Sequence, residues 1–316
     1  MLDNTNPLFV PITLAFTPNY LIPAATCVFS LLRYSESSDK YHVICLLSEP
    51  LTEDMEKQLR GLDENRLFFS FINLQGKLED IYVDEKYTIA ASFRLLLPDL
   101  LPDYEKVIYI DCDVIVRNNV AELYRETDLG RNYLAGVFEA TLDFQLPHMN
   151  AIGCEPGSYV NSGFLIMNLK RLRKDNMVSA FLTASTQEGL EFPDQDVLNV
   201  LCKGRILGLS PYYNSIRTFY LPQYKVDFLK YYTEKDWQAV QTHGTVHYTG
   251  AKPWNAFTIE FSTWWKYYEM LPTSIKNAGL VNRNMQLLYK LYSTKTGRFI
   301  IECIQSLYRK IKYKMV

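Results

Sequence analysis

The sequence predicts an α/β fold: a mostly parallel, Rossmann-like sheet flanked by helices, with a basic helical extension at its C-terminal end. Three observations carry this. The first third of the chain alternates short apolar runs with helical patterns, the order that builds a parallel, helix-covered sheet. The 316 residues are 48% hydrophobic and 22% charged, which is ordinary globular composition with material for a sizeable core. After about residue 275 the balance shifts, with Lys276, Arg283, Lys290, Lys295, Arg298, Arg309, Lys310, Lys312 and Lys314 against the single acid Glu302. The chain therefore divides into a folded unit over 1–275 and a basic amphipathic tail over 276–316.

The elements follow in order. "VPITLAF" (Val10–Phe16) reads as the first strand, and "YLIPAATCVFSLLRY" as a helix with Pro23 near its start. "HVICLLS" (His42–Ser48) is a second strand. "LTEDMEKQLRGL" is a helix, with Thr52 at the cap position and Glu53 and Asp54 in its first turn, where acids favour the helix dipole. "LFFSFINL" (Leu67–Leu74) is a third strand, and "YTIAASFRLLLPDLL" a helix that Pro98 ends or bends. "KVIYID" (Lys106–Asp111) is a fourth. Further on, "YLAGVFEA" and "SGFLIMNL" read as strands, "FPDQDVLNVLCKG" as a short helix closed by Gly204, and "GTVHYTG" as a short strand running into a turn.

Composition argues against several classes without ruling any out sharply. A formal net charge of −2 lacks the basic excess of a nucleic-acid binder. Six cysteines form no CxxC pair, so neither a zinc ribbon nor a redox motif is indicated; reduced thiols and a cytoplasmic setting are expected. The opening "MLDNTNPLFVPITLAF" does not have the pattern of a signal peptide. No apolar run approaches the ~20 residues that a membrane-spanning helix needs.

Parallel sheets bind ligands at the carboxyl ends of their strands, and there "VIYIDCDVIV" places Asp111 and Asp113. Residues two apart in a strand face one side, with α-carbons ~7 Å apart. Two such carboxylates can share one divalent cation, and oxygen ligands suit magnesium or manganese. A solvated loop with two unrelated acids is the plain alternative for a bare DxD. Downstream, "VHYTGAKPW" supplies His247, Gly250 at a turn and Lys252. An imidazole beside two carboxylates suits manganese better than calcium, and a lysine close behind suits a diphosphate, although a single histidine is more often structural.

With these motifs in its sequence, the chain resembles a family 8 retaining glycosyltransferase of the GT-A fold. Five ordered segments carry the resemblance: "LAFTPNY", "SFRLLLPDLLPDYEKVIYIDCDVIV", "VNSGFLIMNL", "DQDVLN" and "VHYTGAKPW". It implies a hexosyltransferase that moves glucose or galactose from a UDP-linked donor to a glycan, glycolipid or glycoprotein acceptor, with Mn2+ or Mg2+. Asp111, Asp113 and His247 would hold the metal. Gly250 and Lys252 would contact the diphosphate, and Ala15, Thr17 and Asn19 would lie beside the nucleoside. Arg94 and Cys112 would belong to the donor site. Asn161, Ser162 and Asp194 would meet the donor sugar, Gln195 would lie near the anomeric carbon, and Asp143 would be a further donor-sugar or acceptor contact.

The chain departs from the family pattern at Thr17 and Pro18, where many relatives carry acids, and in the short Gly250–Lys252 spacing. Plainer readings stand beside these roles: Arg94 as an ion-pair partner, Asp194 and Gln195 as helix caps. The rival functions are a catalytically silent nucleotide-sugar binder and a haloacid-dehalogenase-type phosphatase, whose DxD usually opens its domain. The basic tail has the composition of a segment lying on an anionic membrane, which would put the protein at the inner face of the cell membrane.

Overall fold

The computed structural model describes residues 9–82, 88–279 and 281–312, with side chains up to 303. The N-terminal residues on which the signal-peptide reading partly rests, Tyr87 and Lys314 lie outside that range, as do the side chains of Arg309, Lys310 and Lys312.

Seven strands form the central sheet: β1 (Phe9–Phe16), β2 (Lys40–Leu47), β3 (Leu67–Asn73), β4 (Lys106–Ile110), β6 (Leu134–Phe138), β7 (Val160–Asn168) and β8 (Ile206–Gly208). Their order is β3-β2-β1-β4-β7-β6-β8. All pairings are parallel except those of β7, which runs antiparallel to both β4 and β6. The sheet is therefore mostly parallel, as the βα alternation predicts. A second, two-stranded sheet joins β5 (Val114–Ile115) to β9 (Val246–His247).

Both faces of the sheet are covered, which explains the continuous apolar runs in its strands. Ile12, Leu14, Ile108, Ile110, Phe164 and Ile166 pack on one face with the Leu21–Leu31 helix and with Trp264 and Trp265. Val107, Tyr109, Leu165 and Met167, alternate residues on the same strands, pack on the other with Phe93, Leu97 and Leu198. Thr52 caps the Glu53–Arg60 helix by accepting from the Met55 amide at 3.3 Å.

Two expectations are corrected. The chain around Arg94 is not one helix but three pieces: Ile89–Ser92, a 3-10 turn over Phe93–Leu96, and Leu97–Leu100. Pro98 sits in the first turn of the last piece, where its missing N–H costs nothing; it neither ends nor bends a long helix. The "VIYIDCDVIV" run is likewise two strands: β4 stops at Ile110, and Asp111, Cys112 and Asp113 form a turn before β5.

The basic segment forms two helices, Arg283–Tyr292 and Lys295–Lys312. The first packs onto the body through Met285, Leu288 and Tyr289, with the Tyr289 ring stacked 6.0 Å from Trp265.

Candidate active site

The site opens between the carboxyl ends of β1 and β4, where the sheet order turns back on itself and open α/β sheets bind their ligands. The turn after β4 is anchored by the Asp111 amide, which donates to Gly163 O at 2.9 Å. β5 then pairs antiparallel with β9, setting Val114 opposite His247. The Tyr248 amide donates to Asp113 O at 3.0 Å. This two-residue ladder carries a histidine more than a hundred positions away in sequence to the acid pair.

His247 Nε2 lies 3.7 Å from Asp111 Oδ2 and 3.4 Å from Asp113 Oδ1. One ligand atom from each of the three residues lies within 4.8 Å of the others, a grouping that can hold a metal ion. The far side of the imidazole supports this fit. His247 Nδ1 is 3.0 Å from Asn214 Oδ1, while the Asn214 amide nitrogen donates to Asn161 Oδ1 at 2.9 Å. Asn214 therefore accepts the Nδ1 proton, which leaves the Nε2 lone pair directed at the two carboxylates. Two carboxylate oxygens and one imidazole nitrogen suit a divalent cation of the manganese type.

Each acid uses its other oxygen for a cation of the protein. Asp111 Oδ1 accepts from Arg94 Nη2 at 2.8 Å and from the Tyr109 hydroxyl at 2.9 Å. Asp113 Oδ2 accepts from Lys252 Nζ, which also donates to Tyr248 O at 2.8 Å. Burial pushes the Asp113 carboxyl up, but Lys252, joined by His247 when its ring is protonated, outweighs it and holds the group well below the usual carboxylate range. Burial likewise pulls the Lys252 ammonium down, and Asp113 more than reverses that.

Arg94 is 2% exposed. It stacks on Tyr109 with its guanidinium carbon 4.1 Å from the ring centroid, and its Nε reaches Asp194 Oδ2 at 3.1 Å. Asp194 and Gln195 lie in the first turn of the Pro193–Leu201 helix, whose N-cap residue Phe192 makes no side-chain cap bond. The two side chains face the site. Gln195 Oε1 accepts from the Ser162 amide at 2.8 Å and from its hydroxyl at 3.2 Å. Gln195 Nε2 and Asn161 Nδ2 both point to Glu139 Oε1, at 3.4 and 2.9 Å. Burial raises the Asp194 carboxyl to about 6, Arg94 opposing and Asp111 adding to the shift.

These groups line two connected lobes. One, of about 400 Å³, is lined by Ala15, Thr17, Tyr20, Tyr109 and Cys112 together with Arg94, Asp111, Asp113, Gly250 and Lys252. The other, of about 390 Å³, shares those last five residues and adds Glu139, Asn161, Ser162, Asp194, Gln195 and His247. Gly250 takes the left-handed φ of +86° that its turn requires. Two expected residues stand apart. Asn19 is exposed and accepts a hydrogen bond from the Thr17 hydroxyl without lining either lobe. Asp143 is exposed as well, and it is Phe144 and Gln145 beside it that line the second lobe.

The sequence reading missed Tyr109, Glu139, Gly163 and Asn214. Tyr109 carried a signal, because it sits two places before Asp111, near the end of the strand that leads into the acid pair. Asn214 lies in an irregular stretch after a 3-10 turn and carried none.

Known proteins resemble this chain in sequence and in fold. The sequence model of Glycosyl transferase family 8 matches residues 11–258. The chain is 29% identical over 211 residues to General stress protein A of Bacillus subtilis, covering 63% of this chain and 72% of that protein. It is 30% identical over 226 residues to a lipopolysaccharide 1,2-glucosyltransferase of Escherichia coli, covering 68% of this chain and 63% of that protein. Among solved structures, galactosyltransferase LgtC in complex with donor and acceptor sugar analogues superposes with a TM-score of 0.65 at 23% identity, over 85% of this chain and 100% of that one.

Proposed function

The chain belongs to glycosyl transferase family 8, and from that premise we propose that it is a retaining hexosyltransferase, moving glucose or galactose from a UDP-linked donor to a glycan, glycolipid or glycoprotein acceptor with the help of Mn2+. The observation that carries this reading is the convergence of Asp111, Asp113 and His247 beside Lys252 at the junction of the two lobes. A metal and a lysine at such a junction suit a sugar diphosphate lying across it, nucleoside in the β1 lobe and hexose in the Asn161–Gln195 lobe.

Asp111, Asp113 and His247 would hold the cation, which when bound supplies Lewis-acid stabilisation of the departing diphosphate. Lys252 adds a positive charge where negative charge develops. Asn161, Ser162 and Asp194 offer hydrogen bonds to hexose hydroxyls, and Arg94 fixes both Asp111 and Asp194. Gln195 is a poor nucleophile here, since its amide oxygen already accepts two hydrogen bonds from Ser162. That supports attack by the acceptor on the face the diphosphate leaves, with a phosphate oxygen taking the acceptor proton.

The phosphatase reading is not favoured, because the acid pair follows the fourth strand of a sheet matched by the family 8 model. A silent nucleotide-sugar binder is separated from an enzyme by turnover. Screening nucleotide hexoses for Mn2+-dependent hydrolysis, and then for transfer with retained anomeric configuration by NMR, tests the proposal. Binding of Mn2+ and UDP without turnover of any donor, with a range of glycan acceptors present, would favour the silent binder.

We also propose that the basic helices meet an anionic membrane face. Leu287, Leu291, Phe299 and Ile300 are exposed there beside Lys290, Lys295 and Arg298, a mixture suited to an interfacial segment. Among the described residues, no helix is long and apolar enough to cross a membrane. Liposome flotation of the full chain against a truncation after residue 294, which spares the packed Arg283–Tyr292 helix, tests the part played by the Lys295–Lys312 helix; equal recovery would refute a membrane contact through that helix.

A further inference from the structure

We infer that Lys252 competes with the divalent cation for Asp113 and releases that carboxylate when a nucleotide diphosphate arrives, so that the metal site stays weak until the donor is present. The inference rests on the functional reading above and concerns what this chain's own lysine does to the site.

Each acid presents one oxygen toward His247 Nε2 and commits the other to a cation: Asp111 to Arg94, Asp113 to Lys252. The two cations differ in what holds them. Arg94 is fixed on every side: Nε donates to Ala91 O at 2.8 Å and contacts Asp194, Nη1 donates to Ser162 O at 2.5 Å, and the plane stacks on Tyr109. It is part of the scaffold and cannot leave. Among the described residues, Lys252 has only Asp113 and the nearby Tyr248 carbonyl as hydrogen-bond partners. Its side chain is 24% exposed and follows a glycine turn, and a lysine stem is long and rotatable.

While Lys252 occupies Asp113 Oδ2, that carboxylate can offer a cation one oxygen at most, and the ammonium repels the incoming charge at short range. Lys252 lines both lobes of the cleft, so a diphosphate spanning them lies within reach of its Nζ by side-chain rotation. Transfer of the ammonium to the diphosphate would free Asp113 and remove the repulsion together. By linkage, the nucleotide and the cation then strengthen each other's binding by equal factors. A lysine that served only as a phosphate anchor would leave the affinity for the metal alone untouched.

The test is titration of Mn2+ alone, and of Mn2+ with UDP present, into the wild-type protein and the Lys252→Met and Lys252→Arg variants. Calorimetry and the electron paramagnetic resonance signal of free Mn2+ give two readouts, and thermal unfolding verifies the fold. Losing a charge-assisted competitor should tighten binding of Mn2+ alone by roughly tenfold or more in Lys252→Met, with a smaller enhancement by UDP. Lys252→Arg, which keeps a cation on Asp113, should stay near wild type for Mn2+ alone. Should Lys252→Met lower the melting temperature, Lys252→Gln keeps a donor for Tyr248 O without the charge and makes the same comparison. Unchanged or weaker binding of Mn2+ alone in the folded neutral variant overturns the inference while leaving the functional reading intact. A wild-type protein that binds no Mn2+ even with UDP overturns both.

Discussion

Gly163 and His247 are in such close contact that no side chain fits between them: a Cβ on Gly163 would stand 2.2 Å from His247 Cε1 and 2.8 Å from Asp111 Oδ2. The glycine is needed for space, since its φ is not among the positive ones. Gly163→Ala should therefore fold but push the imidazole off the acid pair. Mn2+ affinity measured with UDP present should fall by roughly 10–100-fold, the range seen when the support of a metal ligand is disturbed. An affinity within twofold of wild type would mean that His247 is not held where the metal needs it.

Asn214 makes a related prediction from the other side of the ring. It fixes the His247 tautomer through Nδ1 and is itself held by Asn161. Asn214→Leu fills similar space without accepting the Nδ1 proton, so Nε2 is no longer reserved as the lone pair. Metal affinity should drop by roughly 10-fold or more. Calorimetric titration of Mn2+ into both proteins, with UDP present, measures this.

These two residues also show where sequence reading stops. Asp111, Asp113, His247 and Lys252 were legible because each chemistry demands a residue type, and because strand ends are where parallel sheets bind ligands. How a histidine reaches acids so distant in sequence was not legible. It depends on a two-residue pairing, Val114 with His247 and Ile115 with Val246, too short for any periodicity to announce. The break of the helix around Arg94 was hidden for a similar reason. "YTIAASFRLLL" has helical composition, yet tertiary packing decides: Arg94 must reach Asp111, Asp194 and Ser162 O together, and a 3-10 turn over Phe93–Leu96 lies there. Local preference is weak enough to be overridden by such contacts.

Arg94 itself yields a stability prediction. It is the cation bridging Asp111 and Asp194, one partly and one almost wholly buried. Removing it leaves two carboxylates uncompensated, so Arg94→Ala should destabilise the fold by about 3–5 kcal/mol. Arg94→Lys should recover only part of that, because an ammonium cannot reproduce the planar set of bonds to Ala91 O, Ser162 O and both acids. Denaturant midpoints with unchanged slopes would measure the two losses; a lysine variant as stable as wild type would show that charge alone suffices.

Asp194 gives the pH dependence. Burial raises its carboxyl to about 6 from an ordinary 3.8, despite Arg94, which Asp194 shares with Asp111. Below about pH 4 the group is protonated in both folded and unfolded chains and has no effect on the balance. Between 3.8 and about 6 the unfolded chain releases its proton while the folded chain keeps it. The folded state then binds more protons, so this group makes stability fall as pH rises. Above that window both states are ionised and the full penalty, on the order of 3 kcal/mol, persists. The Asp194→Asn variant cannot ionise. Its stability relative to wild type should therefore rise with pH across the window and level off above it, whatever constant offset the lost carboxylate introduces through Arg94. Paired denaturation curves at pH 4, 5, 6 and 7 without metal or nucleotide read this directly. A difference that stays flat over that series would mean the carboxyl is ionised throughout, with Arg94 outweighing its burial.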